Sequence, residues 1–177
     1  MQYTATYQSP LGEILLAADE EGLTGLWFDH QKYYALRLAP EHAQKETPAI
    51  KQTQAWLDVY FAGKEPDFVP PIHMIGTPFQ KDVWKILLQI PYGKTTTYGE
   101  IAQKIAVQRG LSHMSAHAVD GAVSHNEISL IIPCHRVVGT NGNLTGYAGG
   151  IHLKIRLLAH EGITMDNFFI PRQGTAR

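Results

Sequence analysis

Cys134 is the only cysteine in the chain, and it stands in Pro133-Cys134-His135-Arg136. A free thiol has a pKa near ~8.5 and is mostly protonated at neutral pH. An imidazole close by, directly or through water, can take that proton and leave a nucleophilic thiolate. His135 is the adjacent imidazole. A carboxylate able to orient it is Glu161, just after a run whose Ile151, Ile155 and Leu158 recur at helical spacing and which stops at Gly162. The dipole at a helix C-terminus disfavours an anion by ~0.3–1 kcal/mol. A carboxylate kept there suits the third member of a triad, which orients and charge-stabilises an imidazole. Two plainer readings stand beside this one: a surface glutamate at a tolerated position, and a cysteine that merely fills space.

The elements that would hold these groups can be read from the pattern. Residues 128–132, Ile-Ser-Leu-Ile-Ile, form a short apolar run expected as a buried strand or strand-like stretch delivering the chain into Pro133-Cys134. Upstream, Thr77-Pro78-Phe79-Gln80 is a helix start with a capping box, followed by Val83, Ile86, Leu87 and Ile90 at helical spacing. A second helix is expected over residues 98–106 and a third, capped by Ser115, over 116–123. Two short helices on a tight connection resemble a helix-turn-helix, though such a pair is also ordinary packing. The first part of the chain reads as a meander, with strands at 3–7, 13–18 and 23–28, then a helix from Thr47-Pro48 stopping near Gly63.

Composition excludes several classes. The chain has 177 residues, 44% of them hydrophobic and 18% charged, which is globular. One cysteine allows no internal disulfide framework and no cysteine-rich zinc site. No apolar run reaches the ~20 residues of a membrane span, and Met1-Gln2-Tyr3-Thr4 is unlike a signal peptide. A cytoplasmic, reducing setting, with no membrane partner, is the expectation. The net charge of −1 divides into an acidic part, residues 1–73, with five Lys+Arg against ten Asp+Glu, and a basic part, residues 74–177, with ten against six. That suggests two domains with this boundary, the basic one facing an anionic partner.

The motifs Pro133-Cys134-His135-Arg136-Val137-Val138-Gly139, Leu144-Thr145-Gly146-Tyr147-Ala148-Gly149-Gly150, Leu157-Leu158-Ala159-His160-Glu161-Gly162, Thr97-Tyr98-Gly99-Glu100-Ile101-Ala102 and Ser9-Pro10-Leu11-Gly12 resemble the methylated-DNA–protein-cysteine methyltransferases, the O6-alkylguanine-DNA alkyltransferases. The likeness covers essentially the whole chain. It implies an α+β protein: a ribonuclease-H-like α/β domain with an antiparallel sheet, then a helical, winged-helix-like domain with a helix-turn-helix. It also implies irreversible, single-turnover transfer of an alkyl group from O6 of guanine, and also O4 of thymine, onto Cys134. No cofactor and no metal are implied. The partner would be double-stranded DNA containing O6-alkylguanine, met by a monomer. His135 would be the water-mediated base, Glu161 the group holding the imidazolium, Tyr98 a donor toward guanine N3 and Asn126 a hinge. Tyr147, Ala148, Gly149 and Val137 would meet the substrate. Ser115, Ala116, His117 and Arg136 would meet DNA, entered through the minor groove with the target nucleotide flipped out.

The recognition-helix stretch departs from that family's pattern. His117 stands where an arginine is usual, Asp120 and Ser124 where glycines are, and Glu127 where a proline is. Asp120 and Glu127 are expected to oppose the approach of phosphates. The resemblance therefore leaves three options beside the repair protein proper: a self-labelling variant with weak DNA binding, a non-catalytic DNA-binding or signalling member, and, from the residues alone, a cysteine hydrolase. Members that only bind DNA lack the cysteine, and Cys134 is present. His113, His117 and His125 are spaced by chance rather than as metal ligands.

Overall fold

The turn at Ser9–Gly12 closes a hairpin between β1 (Gln2–Ser9) and β2 (Gly12–Ala18), with Ser9 opposite Gly12 and Tyr3 opposite Ala18. Ser9 Oγ accepts the Leu11 N–H at 3.1 Å and donates to the Gly12 carbonyl at 2.6 Å, a short side chain replacing backbone partners in the turn. β3 (Leu23–Phe28) pairs antiparallel with β2, and β4 (His42–Gln44) pairs parallel with β1, giving the order β3-β2-β1-β4. β4 is short, exposed and without alternation, so nothing in its sequence announces it. Helix α1 (Pro48–Phe61) begins where Thr47 Oγ1 accepts the Ile50 N–H and proline takes the first turn. It packs on β1–β3 and buries Ile50, Trp56, Leu57 and Tyr60.

The computed structural model describes residues 1–171, which fall into two units. One is Met1–Ile75 together with Glu127–Ile131; the other takes up Gly76–Asn126 and the chain from Ile132 onward. A linear division at residue 73 does not capture the return of Glu127–Ile131 to the first unit. That return corrects two expectations. Residues 128–132 are not a strand. Leu26 exchanges only two backbone hydrogen bonds with the segment, accepting from Ser129 N–H at 3.1 Å and donating to Glu127 O at 2.9 Å. Leu130 then adopts φ +69° and the chain turns away. The apolar run signalled burial, and its shortness hid the turn. Glu127 is likewise not on a DNA-facing surface: it is buried, and its Oε2 accepts the Trp27 indole N–H at 2.6 Å.

The second unit holds α2 (Pro78–Leu87), β5 (Thr96–Thr97), α3 (Tyr98–Gln108), α4 (Ala116–Ser124), a 3₁₀ turn at Cys134–Arg136, β6 (Val137–Val138) and α5 (Ile151–His160). The capping box of α2 is formed in full by Thr77 and Gln80. α4 packs on α2 and α3, and Trp84 Nε1 donates to the Ala122 carbonyl at 2.9 Å. The β5–β6 pair, with Thr96 opposite Val137 and Thr97 opposite Val138, lays the start of α3 beside the chain leaving Cys134. Val138, Leu144 and Leu158 pack with Ile151, Ile155 and Ile163, anchoring α5 beneath this pair. No helix among the described residues is long and apolar enough to cross a membrane.

Candidate active site

Cys134 opens the 3₁₀ turn, buried, its N–H donated to the Ile132 carbonyl at 2.8 Å. Asn126 Nδ2 donates to the same carbonyl at 2.8 Å, so the end of α4 and the cysteine segment share one acceptor. Burial pushes the Cys134 thiol up. A side-chain hydrogen bond from Asn126, the Lys154 ammonium and nearby backbone N–H groups pull the other way. The environment thus keeps a thiol at rest and supplies the groups that would favour its thiolate.

His135 is wholly buried, and its Nε2 lies 2.5 Å from Glu161 Oε2. Burial lowers its pKa against the pull of Glu161, so the imidazole is neutral at pH 7. The short contact to a carboxylate puts the proton on Nε2 and leaves Nδ1 with a lone pair. Nδ1 is buried and has no hydrogen-bond partner among the described residues. The ring meets Tyr147 edge-on, with centroids 6.4 Å apart.

Glu161 is the C-cap of α5, the position that a helix dipole makes unfavourable for an anion. Three donors offset this. His135 occupies Oε2, while Oε1 accepts from Arg136 Nε at 2.7 Å and from the Gly93 N–H at 3.1 Å. Burial opposes ionisation, but the hydrogen bonds from His135 and from the permanently charged Arg136 outweigh it and hold the carboxyl far below the usual range. Arg136 itself donates through Nη1 to the Ile90 carbonyl at 2.8 Å, and its guanidinium stacks over Tyr92. It is 7% exposed. The assignment of Arg136 to DNA contact is therefore corrected: its donors are turned inward to Glu161 and the backbone.

Tyr98, the first residue of α3, is buried with its hydroxyl 3.4 Å from the carbonyls of both Thr145 and Gly146. Gly146 has φ +68°, and a Cβ there would come within 2.9 Å of Tyr98 Oη, so only glycine fits both the turn and the hydroxyl. Tyr147 is buried, Ala148 and Gly149 are half-buried, and the Val137 side chain is fully buried. Ser115, Ala116 and His117 form an exposed first turn of α4, where Ser115 Oγ accepts the His117 N–H at 3.1 Å.

The residue missing from the sequence reading is Lys154. It is fully buried, and its Nζ donates to the Val137 carbonyl and, at 2.8 Å, to the Thr145 carbonyl. Burial lowers its pKa to about 8, against the opposing pull of Cys134 and Asp120. The signal was available: Lys154 falls in phase with Ile151, Ile155 and Leu158 on the inward face of α5, where a cation needs a reason.

The amino-terminal part, residues 2–74, matches the family model described as 6-O-methylguanine DNA methyltransferase, ribonuclease-like domain. Residues 78–163 match the DNA binding domain of the same methyltransferase. A Methanosarcina acetivorans methylated-DNA–protein-cysteine methyltransferase is 42% identical over 90% of this chain and 98% of its own. The crystal structure of a Mycobacterium tuberculosis O6-methylguanine methyltransferase superposes with TM-score 0.76 at 42% identity, covering 91% of this chain and 93% of that one. The Mycobacterium tuberculosis OGT solved in complex with DNA also gives TM-score 0.76, at 41% identity, covering 90% and 92%.

Proposed function

The chain belongs to the 6-O-methylguanine DNA methyltransferase family, and on that footing we propose that it repairs alkylated DNA by direct reversal, with Cys134 as the acceptor. One observation carries the assignment of roles: a buried thiol precedes a neutral imidazole whose Nε2 is held by Glu161 and whose Nδ1 is left to accept a proton. His135 Nδ1 takes the Cys134 proton through a water. The thiolate attacks the alkyl carbon, the S–C bond forms as the C–O6 bond breaks, and the electron pair passes to the guanine. Tyr98 Oη donates toward N3 of that departing anion and eases its release. Glu161 stabilises the imidazolium. The product is a thioether, which no group in the site can cleave, so each molecule reacts once.

The lesion's O6 is out of reach inside a duplex, so the nucleotide is flipped out at a cost of roughly a few kcal/mol. The exposed turn Ser115–Ala116–His117 of α4 is the proposed contact with double-stranded DNA containing O6-alkylguanine. O4-alkylthymine is a second substrate under this reading, and the protein works as a monomer without cofactor or metal. A thiol that must stay reduced until it meets a lesion suits the cytoplasm.

Intact-mass spectrometry after incubation with O6-benzylguanine tests the chemistry. One benzyl group per protein, localised to Cys134 and lost in Cys134→Ala, is the expected result. An adduct that forms and is released again would mean a hydrolase, and no adduct at all would refute the reading.

A further inference from the structure

An ammonium shut away from water needs hydrogen-bond acceptors and a countercharge, and Lys154 is 0% exposed. Its acceptors are the Val137 carbonyl, on the chain leaving Cys134, and the Thr145 carbonyl at 2.8 Å. A countercharge comes from α4. Asp120 is half-buried, and a Cβ on Gly146 would lie 3.2 Å from its Oδ1, so the carboxylate rests against the residue next to the one that receives the ammonium. Tyr98 Oη, from α3, is 3.4 Å from the same Thr145 carbonyl. The titratable groups around Lys154 are thus Cys134 and His135 from the 3₁₀ turn, Asp120 from α4 and Tyr98 from α3.

Burial lowers the Lys154 pKa to about 8, with Cys134 and Asp120 opposing. An amine poised there is part charged and part neutral near neutral pH, so one neighbouring charge decides its state. That state bears on both reacting groups. Burial raises the Cys134 thiol, and Asn126 and the Lys154 ammonium oppose this. Burial lowers the His135 imidazole, and the ammonium adds to the effect. A charged Lys154 therefore favours the thiolate and keeps its base neutral.

We propose that Asp120 is a positioning residue for alkyl transfer: acting through Lys154, its carboxylate keeps the buried ammonium charged beside Cys134. This rests on the alkyltransferase reading above. Asp120 acts on the reacting sulfur only by way of the lysine, so its effect belongs to the pH range in which that lysine changes charge.

Two readouts test this. The carbon-13 NMR signal of Lys154 Cε, assigned by its loss in Lys154→Met, follows the ionisation of the ammonium without any alkylation. Its midpoint should fall by about one pH unit in Asp120→Asn and stay in place in Asp120→Glu. Intact-mass rates of Cys134 alkylation by O6-benzylguanine follow the consequence. Asp120→Asn should react about two- to threefold more slowly than the original at about pH 7.5, and within about 1.2-fold of it at about pH 6, where the lysine is charged in both. In the Lys154→Met background the same substitution should leave the rate unchanged. A midpoint unmoved by Asp120→Asn, an equal loss at both pH values, a loss shared by Asp120→Glu, or one that persists in Lys154→Met would overturn the proposal. The comparison of the two pH values stands even if Lys154→Met folds poorly. If the unaltered protein forms no adduct, it is the alkyltransferase reading that has failed, and the role in transfer falls with it whatever the midpoint shows.

Discussion

His135 Nε2 and Glu161 Oε2 lie 2.5 Å apart with both side chains wholly excluded from solvent, while the other carboxylate oxygen is bound by Arg136 Nε at 2.7 Å. The carboxylate thus has two different tasks on its two oxygens: one fixes the tautomer of the imidazole, and the other neutralises a buried guanidinium. A substitution that removes both tasks should behave differently from one that removes only the charge.

Glu161→Ala strands the Arg136 guanidinium in the interior and should destabilise the fold by about 3–5 kcal/mol, read as a fall in urea midpoint. Glu161→Gln retains an acceptor for Arg136 and should unfold closer to the original, yet it no longer stabilises an imidazolium. Its alkylation rate with O6-benzylguanine should fall about a hundredfold. A glutamine variant reacting within twofold of the original would remove Glu161 from the mechanism.

Acid should weaken the protein in two stages. Burial first lowers the His135 pKa, and the Glu161 carboxyl is held far below its usual range by His135 and Arg136 despite its burial. Both groups bind protons more weakly folded than unfolded, so the unfolded state takes up more protons as pH falls and stability falls with it. For His135 the loss begins as pH drops through the unfolded value of ~6.5, and for Glu161 through ~4.3, each continuing toward the depressed folded value. Urea midpoints measured from pH 8 to 3.5 should show a first decline below about 6.5 and a steeper one below about 4.5. His135→Gln should erase the first. A flat midpoint down to pH 5 in the unaltered protein would mean that the imidazole is not buried in its neutral form.

Much of this site is legible in the sequence, for a physical reason. The α5 stripe ends at Gly162, which places Glu161 at the C-cap, where an anion reads either as a partner to a buried cation or imidazole or as a tolerated surface charge. Helix starts at Thr47, Thr77 and Ser115 were equally open, because capping is a local interaction. What local pattern does not carry is pairing at a distance. Glu127 reads as an exposed acidic residue next to a helix end, and only its indole partner 100 positions away makes it a buried one. The β5–β6 pair is likewise too short to have a period, and it is decided by which segments the helices bring together.

Lys154 should act on the thiol's ionisation rather than on substrate contact. Its cation opposes the upward shift that burial gives Cys134. Lys154→Met removes that pull and leaves the Val137 and Thr145 carbonyls short of a donor. The alkylation rate at pH 7.5 should drop at least about tenfold, one pKa unit of thiolate, and the pH–rate curve should move to higher pH, so that alkali restores part of the loss. Parallel curves for variant and original would show that the lysine serves only to hold the loop.

Trp27 and Glu127 form a buried pair inside the first unit, with the indole N–H 2.6 Å from the carboxylate. A hydrogen bond to a charged acceptor is worth about 1.5–3 kcal/mol against about 0.5–1.5 kcal/mol for a neutral one, and glutamine keeps a neutral acceptor, so a double-mutant cycle with Trp27→Phe and Glu127→Gln should give a coupling energy of about 1 kcal/mol by urea denaturation. The same variants separate this structural role from an electrostatic one. A carboxylate facing phosphates would, once neutralised, strengthen duplex binding and steepen its dependence on salt. Glu127 faces an indole instead, so Glu127→Gln should leave the salt slope of duplex affinity unchanged and the rate with free O6-benzylguanine within about twofold. A steeper slope in fluorescence anisotropy would put Glu127 back on the DNA-facing surface.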